Sequence, residues 1–144
     1  SKKIIENKNV SGMSSTHSGN PISCAAGIAT IDIIKKNNLI SNSRKLGDIL
    51  HVNLNKMKNL NKNLIKETQG YGLIGAIIFK NYKKYSSKKI ADIFSQLCAN
   101  KGLLICNTGR ESVKLGPPLI INKKGLLKAI SILFECLDNL KKNI

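Results

Sequence analysis

Apolar residues recur along the chain at two different spacings, and each change of spacing marks a change of element. Over 22–36, Cys24, Ala25, Ala26, Ala29, Ile33 and Ile34 make a broad apolar surface at helical spacing, predicting a helix packed on more than one side. Asn20 and Pro21 sit before it as N-cap and first helical residue, after a Gly- and Ser-rich loop over 10–20. Asn37-Asn38 breaks it. Leu46, Ile49, Leu50, Met57 and Leu60 predict a second helix over 41–60. Gln69-Gly70-Tyr71-Gly72 reads as a turn, and the continuous apolar run 73–79 as a buried strand. Ile90, Ile93, Phe94, Leu97 and Cys98 predict a helix over 87–100, ended by Lys101-Gly102. Strands are expected over 103–106 and 113–121 around the turn Asn107-Thr108-Gly109-Arg110, the second at an edge or bent because Pro117-Pro118 cannot donate to a ladder. Leu126, Ile130, Leu133, Phe134, Leu137 and Leu140 close the chain with a helix over 123–142. The order α-α-β-α-β-β-α predicts a compact α+β layer, helices on a small sheet.

Composition narrows the class. With 144 residues, 42% of them hydrophobic, the chain suffices for one core and is not a disordered one. A net charge of +16 raises nucleic acid as a partner. The detail counts against it: Arg44 and Arg110 are the sole arginines, aromatics are 4% with no Trp, and the lysines are scattered in pairs among asparagines, as on solvated faces. Cysteines at 24, 98, 106 and 136 form no C-x-x-C pair and have no histidine at metal-ligand spacing. Cys24, Cys98 and Cys136 lie in apolar helical stretches and are expected to be buried free thiols, which points to a reducing, cytoplasmic compartment. No apolar run reaches membrane-spanning length, and no secretory h-region follows Ser1, so a soluble chain is expected. The start reads as mid-protein material, the first methionine being Met13, which suggests a piece of a longer polypeptide.

The segment Ser14-Ser15-Thr16-His17-Ser18-Gly19-Asn20-Pro21 is a hydroxyl-rich loop that feeds a helix N-terminus. Free backbone N–H groups and the positive end of the helix dipole favour an anion there, so it reads as a phosphate site or as a capping turn with solvated hydroxyls. No role is assigned to His51.

These residues carry a resemblance. Thr16-x-x-Gly19-Asn20-Pro21, followed by the small-residue stretch Cys24-Ala25-Ala26-Gly27, resembles the hallmark of the class III (fold type I) pyridoxal-phosphate aminotransferases. Gly70-Tyr71-Gly72-Leu73 through Phe79 is similar to the family's G-x-G strand, and Lys101-Gly102-Leu103-Leu104 to its K/R-G-hydrophobic element. Leu115-Gly116-Pro117-Pro118-Leu119-Ile120-Ile121 resembles its closing strand. The resemblance spans nearly the whole chain. It implies that 1–36 is the tail of the large cofactor domain and 37–144 the small C-terminal domain of that fold. It also implies pyridoxal 5'-phosphate as cofactor, with the Thr16 hydroxyl donating to the phosphate beside the backbone of Ser15, across the interface of a homodimer. His17 then lines the pocket or is an ordinary polar loop residue. The family's cofactor-holding lysine belongs further upstream than the fifteen residues that precede Thr16, so no catalytic residue is expected in this chain. Where the family often places an arginine that grips a substrate carboxylate, this chain has Lys114, with Arg110 four residues earlier. Arg110 or Lys114 is the expected carboxylate contact; otherwise each is a solvated cation. The implied reaction moves an amino group from an amine or amino acid to a 2-oxo acid. Another reaction on the same scaffold (aminomutase, racemase, decarboxylase) and a basic, non-catalytic binding module are the alternatives.

Overall fold

A computed structural model describes residues 19–144. The chain divides between Asn37 and Asn38 into two units. In the first, helix α1 (Pro21–Lys36) starts as expected: the Asn20 side chain accepts from the amides of Ile22 and Ser23, and Pro21 stands at the first helical position. None of its residues is buried. The broad apolar surface read from the sequence is present but uncovered, with Ile22, Ile28, Ile31 and Ile33 all exposed, and Cys24 is exposed with them rather than buried.

The second unit, Asn38–Ile144, holds the remaining elements. Asn38 takes the left-handed conformation (φ 52°, ψ 40°), which asparagine tolerates, and turns the chain into α2 (Leu39–Leu60). Next come β1 (Ile65–Tyr71), β2 (Ile74–Phe79), α3 (Ser87–Asn100), β3 (Cys106–Asn107), β4 (Ser112–Leu115) and α4 (Lys123–Asn143). The four strands form one antiparallel sheet in the order β1-β2-β4-β3. Ser86 caps α3 by accepting from Lys89 N, and Asn122 caps α4 by accepting from Gly125 N.

Three expectations need correcting. The segment 69–72 is not all turn, because Ile65–Tyr71 is an edge strand whose pairing runs from Ile65↔Phe79 to Tyr71↔Ile74, with a bulge between Ile65 and Glu67. Its side chains announce nothing, since Ile65 alone among them is buried; backbone pairing to β2 makes it a strand. Leu103–Ile105 is not sheet, and pairing begins only at Cys106. The closing strand stops at Leu115, because Pro117 and Pro118 have no N–H to extend the ladder.

Alternation along β2 and β4 sorts the sheet into two faces. The register pairs Ile77↔Val113 and Gly75↔Leu115 face the helices, and Ala76↔Lys114 and Ile78↔Ser112 face away. On the helical side Leu46, Leu50, Leu54 and Met57 of α2, Ile90 and Phe94 of α3, and Leu126, Leu133 and Leu137 of α4 complete the core. Phe79 and Phe94 meet edge to face with centroids 5.4 Å apart, worth about 0.5–1.5 kcal/mol beyond burial.

The β1–β2 hairpin docks on α2 through glycine. A Cβ on Gly47 would lie 2.5 Å from Gly72 Cα, so the two backbones touch. Gly72 also has φ 56°, a value β-carbon-bearing residues rarely adopt. Around this contact Ser43 Oγ accepts from Leu73 N at 3.3 Å, and His51 Nε2 lies 3.0 Å from the Gly72 carbonyl.

Gly47→Ala is expected to cost about 1–3 kcal/mol, because the new methyl meets backbone that must shift. Gly116→Ala, whose Cβ would meet nothing within 4 Å, should stay within about 0.5 kcal/mol of wild type. Urea unfolding midpoints of the two variants check both.

Cys98 and Cys136 are fully buried, on α3 and α4, as the sequence suggested. Burial pushes both thiols above their ordinary 9.0, and for Cys98 the nearby Cys136 adds to the rise. Below that ordinary value both states keep the proton and stability is unaffected. As pH rises past 9.0 the unfolded chain ionises while the folded chain does not, so folded stability falls. Wild type should therefore lose about 1 kcal/mol more than Cys98→Ala between pH 8 and pH 10, read by urea unfolding at each pH.

Candidate functional site

The β3–β4 hairpin carries the two cations singled out from the sequence. Lys114 sits mid-strand in β4 on the sheet face turned away from the helices, level with Ala76 on one side and Cys106 on the other. Its neighbours are small, and the exposed ammonium borders a cleft of about 470 Å³ lined by Leu104, Ile105, Cys106 and Gly116. Arg110 is exposed in the turn between β3 and β4. The ion pairs among the described residues are Lys101–Glu135 and Lys141–Asp138, so neither Arg110 nor Lys114 is neutralised by one. Two uncommitted cations on one short hairpin can attract a carboxylate, Arg110 through a planar fork and Lys114 as a point charge.

The turn itself is tightly bonded. Thr108 N donates to Ser112 O at 3.2 Å, and the Thr108 hydroxyl donates to the same carbonyl at 2.9 Å. Gly109 N donates to Asn107 Oδ1 at 2.7 Å, and Arg110 N to Thr108 Oγ1 at 3.4 Å. On the far side, Phe79 N donates to Glu111 O, tying the turn to β2.

The expected phosphate loop falls elsewhere. Ser15, Thr16 and His17 lie outside the described residues. At the start of α1, Pro21 has no N–H, Ile22 and Ser23 donate to Asn20 Oδ1 at 2.9 and 3.4 Å, and Cys24 N donates to Asn20 O. The free helix-end donors expected from the sequence are thus used by the helix's own cap. What remains at this helix start for an anion is the dipole of α1.

Among the described residues no His, Cys, Asp and Glu side chains gather as a metal site, and no helix is long and apolar enough to cross a membrane. Two polar residues escaped the sequence reading. His51 braces Gly72, and Asp92 of α3 accepts from Asn107 Nδ2 at 2.7 Å. Neither has a linear motif; for Asp92 the available signal is its place among the apolar positions of α3, one residue before Ile93.

The 38–144 unit is thus an α+β layer with Lys114 on the open face of its antiparallel sheet and Arg110 in the adjoining turn. The family profile "Aminotransferase class-III" covers residues 1–137. A probable mitochondrial ornithine aminotransferase from Caenorhabditis elegans is 33% identical over 128 residues, covering 89% of this chain and 28% of that protein. An acetylornithine aminotransferase from Prochlorococcus marinus is 31% identical over 126 residues, covering 88% of this chain and 29% of its own length. The crystal structure of acetylornithine aminotransferase from Elizabethkingia anophelis superposes with a TM-score of 0.76 at 28% identity, over 88% of this chain and 30% of that one. The chain belongs to the class III aminotransferases. It spans under a third of the length of these relatives.

Proposed function

We propose that this chain is the C-terminal part of a pyridoxal-phosphate-dependent aminotransferase that moves an amino group from an amine or amino acid to a 2-oxo acid. The observation that carries the reading is the family match over 1–137, in register with an α+β unit that superposes on a solved aminotransferase. The relatives' names support ornithine or its acetyl derivative as donor. In this reading residues 1–36 end the large cofactor domain, 37–144 form the small domain, and the enzyme works as a cytoplasmic homodimer.

The cofactor, when bound, supplies an electron sink for the bonds broken at the donor's amino carbon. This chain's part is binding. The Thr16 hydroxyl, with the backbone of Ser15, donates to the cofactor phosphate, helped by the dipole of α1. His17 borders the pocket. Arg110 and Lys114 hold the substrate carboxylate, fixing which end of the substrate faces the chemistry. The lysine that anchors the cofactor comes from sequence upstream of Ser1.

The test uses the full-length enzyme with pyridoxal phosphate, ornithine or acetylornithine as donor and 2-oxoglutarate as acceptor. Amino transfer is expected. Thr16→Ala should weaken cofactor retention about tenfold in equilibrium dialysis, the loss of one hydrogen bond to a charged group. Arg110→Ala and Lys114→Ala should each raise the KM for 2-oxoglutarate about tenfold, with kcat within about twofold. Cofactor uptake without transfer to 2-oxoglutarate would assign the chain to another reaction on this scaffold. Failure to take up cofactor would discard the reading.

A further inference from the structure

The β3–β4 turn is held in shape by a side chain on another element. Asn107 follows Cys106 in β3 and pairs with Val113, so its side chain lies on the helical face of the sheet. There its Nδ2 donates to Asp92 Oδ1 at 2.7 Å and to Ser95 Oγ at 3.4 Å, both on α3, and Ser95 Oγ donates to Asp92 O at 2.9 Å. The other end of the same amide, Oδ1, accepts from Gly109 N at 2.7 Å. Asn107 thus spends its donor on the helix and its acceptor on the turn, and the carboxylate fixes which way round the amide stands, since Asp92 Oδ1 can only accept. Were the amide reversed, its NH₂ would face the Gly109 N–H, donor against donor. Gly109, held at φ 74°, then delivers Arg110.

Asp92, Ser95 and Asn107 are half-buried, where a charge-assisted hydrogen bond is stronger than in open water. Among the described residues the Asp92 carboxylate makes no ion pair, and its hydrogen bond to Asn107 is its direct link to the hairpin. β3 is only two residues long, and Cys106 and Asn107 are its whole pairing with β4. The Thr108–Ser112 bonds close the turn on β4, and the contacts of Asn107 with Asp92 and Ser95 are the side-chain hydrogen bonds that tie β3 to α3.

We infer that Asp92 is a positioning residue for substrate binding: through Asn107 it sets the turn that presents Arg110 and the pairing that flanks Lys114. This rests on the assignment of those cations to a substrate carboxylate. Asp92 touches no substrate and acts through the amide it orients.

Full-length Asp92→Ala, Asp92→Asn, Arg110→Ala and Lys114→Ala enzymes decide it, by hydrogen–deuterium exchange of the peptides covering 104–116 and 65–79 and by kinetics with 2-oxoglutarate. In Asp92→Ala, exchange over 104–116 should rise about tenfold while 65–79 stays at the wild-type rate, and the KM for 2-oxoglutarate should rise about fivefold at unchanged kcat. Asp92→Asn keeps an acceptor for Asn107 Nδ2 and should restore most of both. Unchanged exchange over 104–116 overturns the inference. So does a rise in both peptides, which would make Asp92 a general stabiliser. A local rise with unchanged KM overturns it as well, provided Arg110→Ala or Lys114→Ala raises the KM. If neither cation variant moves the KM, the carboxylate assignment itself falls and takes the positioning role with it; a wild-type enzyme that does not turn over 2-oxoglutarate has the same consequence.

Discussion

The contact between the backbones of Gly47 and Gly72 is the constraint on which the rest of the 38–144 unit depends. A helix and a hairpin normally stand apart by the thickness of their side chains; here both contact residues lack one, and the chain of the hairpin rests directly on α2. Ser43 and His51, one turn to either side of Gly47, reach the two residues of the hairpin turn, Leu73 N and Gly72 O. With the turn pinned, the parity of β2 is decided: Gly75, Ile77 and Phe79 face the helices and Ala76 and Ile78 do not. A slip of one residue would exchange the two faces and expose the core.

That parity propagates. β4 pairs with β2 from Gly75↔Leu115 to Ile78↔Ser112, so Val113 and Leu115 are buried because Ile77 and Gly75 are, and Lys114 is left on the open face. Lysine at that register position costs little, since its ammonium stays in water and its neighbours Ala76 and Cys106 leave room for it. The same lysine one position earlier or later would be driven into the core. The place of the hairpin's cation is thus a consequence of a helix–turn contact between Gly47 and Gly72, both far upstream in the chain.

Helices were legible in the sequence because their signals are local. Asn20-Pro21, Asn37-Asn38, Lys101-Gly102 and the apolar stripes of α2, α3 and α4 each act within a turn or two, and the helix over 87–100 ends where the pattern says it should. Strands were legible only where burial imposes a pattern. β2 is apolar throughout and was read as a strand; β1 is a polar edge strand held by backbone pairing, and no side chain of Lys66–Tyr71 reports that it is paired. Leu103–Ile105 misled in the opposite way: Leu103 and Ile105 pack partly buried against the core and Leu104 stays exposed, yet none of the three joins a ladder. Cys24 shows the limit of composition, because an apolar helix is buried only when something covers it.

For the candidate site, motif reading singled out the two cations proposed to meet the carboxylate and passed over what holds them. Arg110 and Lys114 stand out as charges beside a distinctive Gly-Pro-Pro run, whereas Asp92 and Asn107 meet only in three dimensions, fifteen residues apart and on different layers. The distinction has a physical consequence for the proposed chemistry. A single arginine fork fixes a carboxylate in both position and angle, so little else need be rigid. A lysine fixes position alone, its three donors being free to rotate about the C–N bond. With Lys114 in the strand, angular definition has to come from a second cation, and Arg110 supplies it only if the turn that bears it is stiff. The closed ring of hydrogen bonds over 107–112, anchored to α3 at one end and to β2 at the other, is what such a division of labour requires.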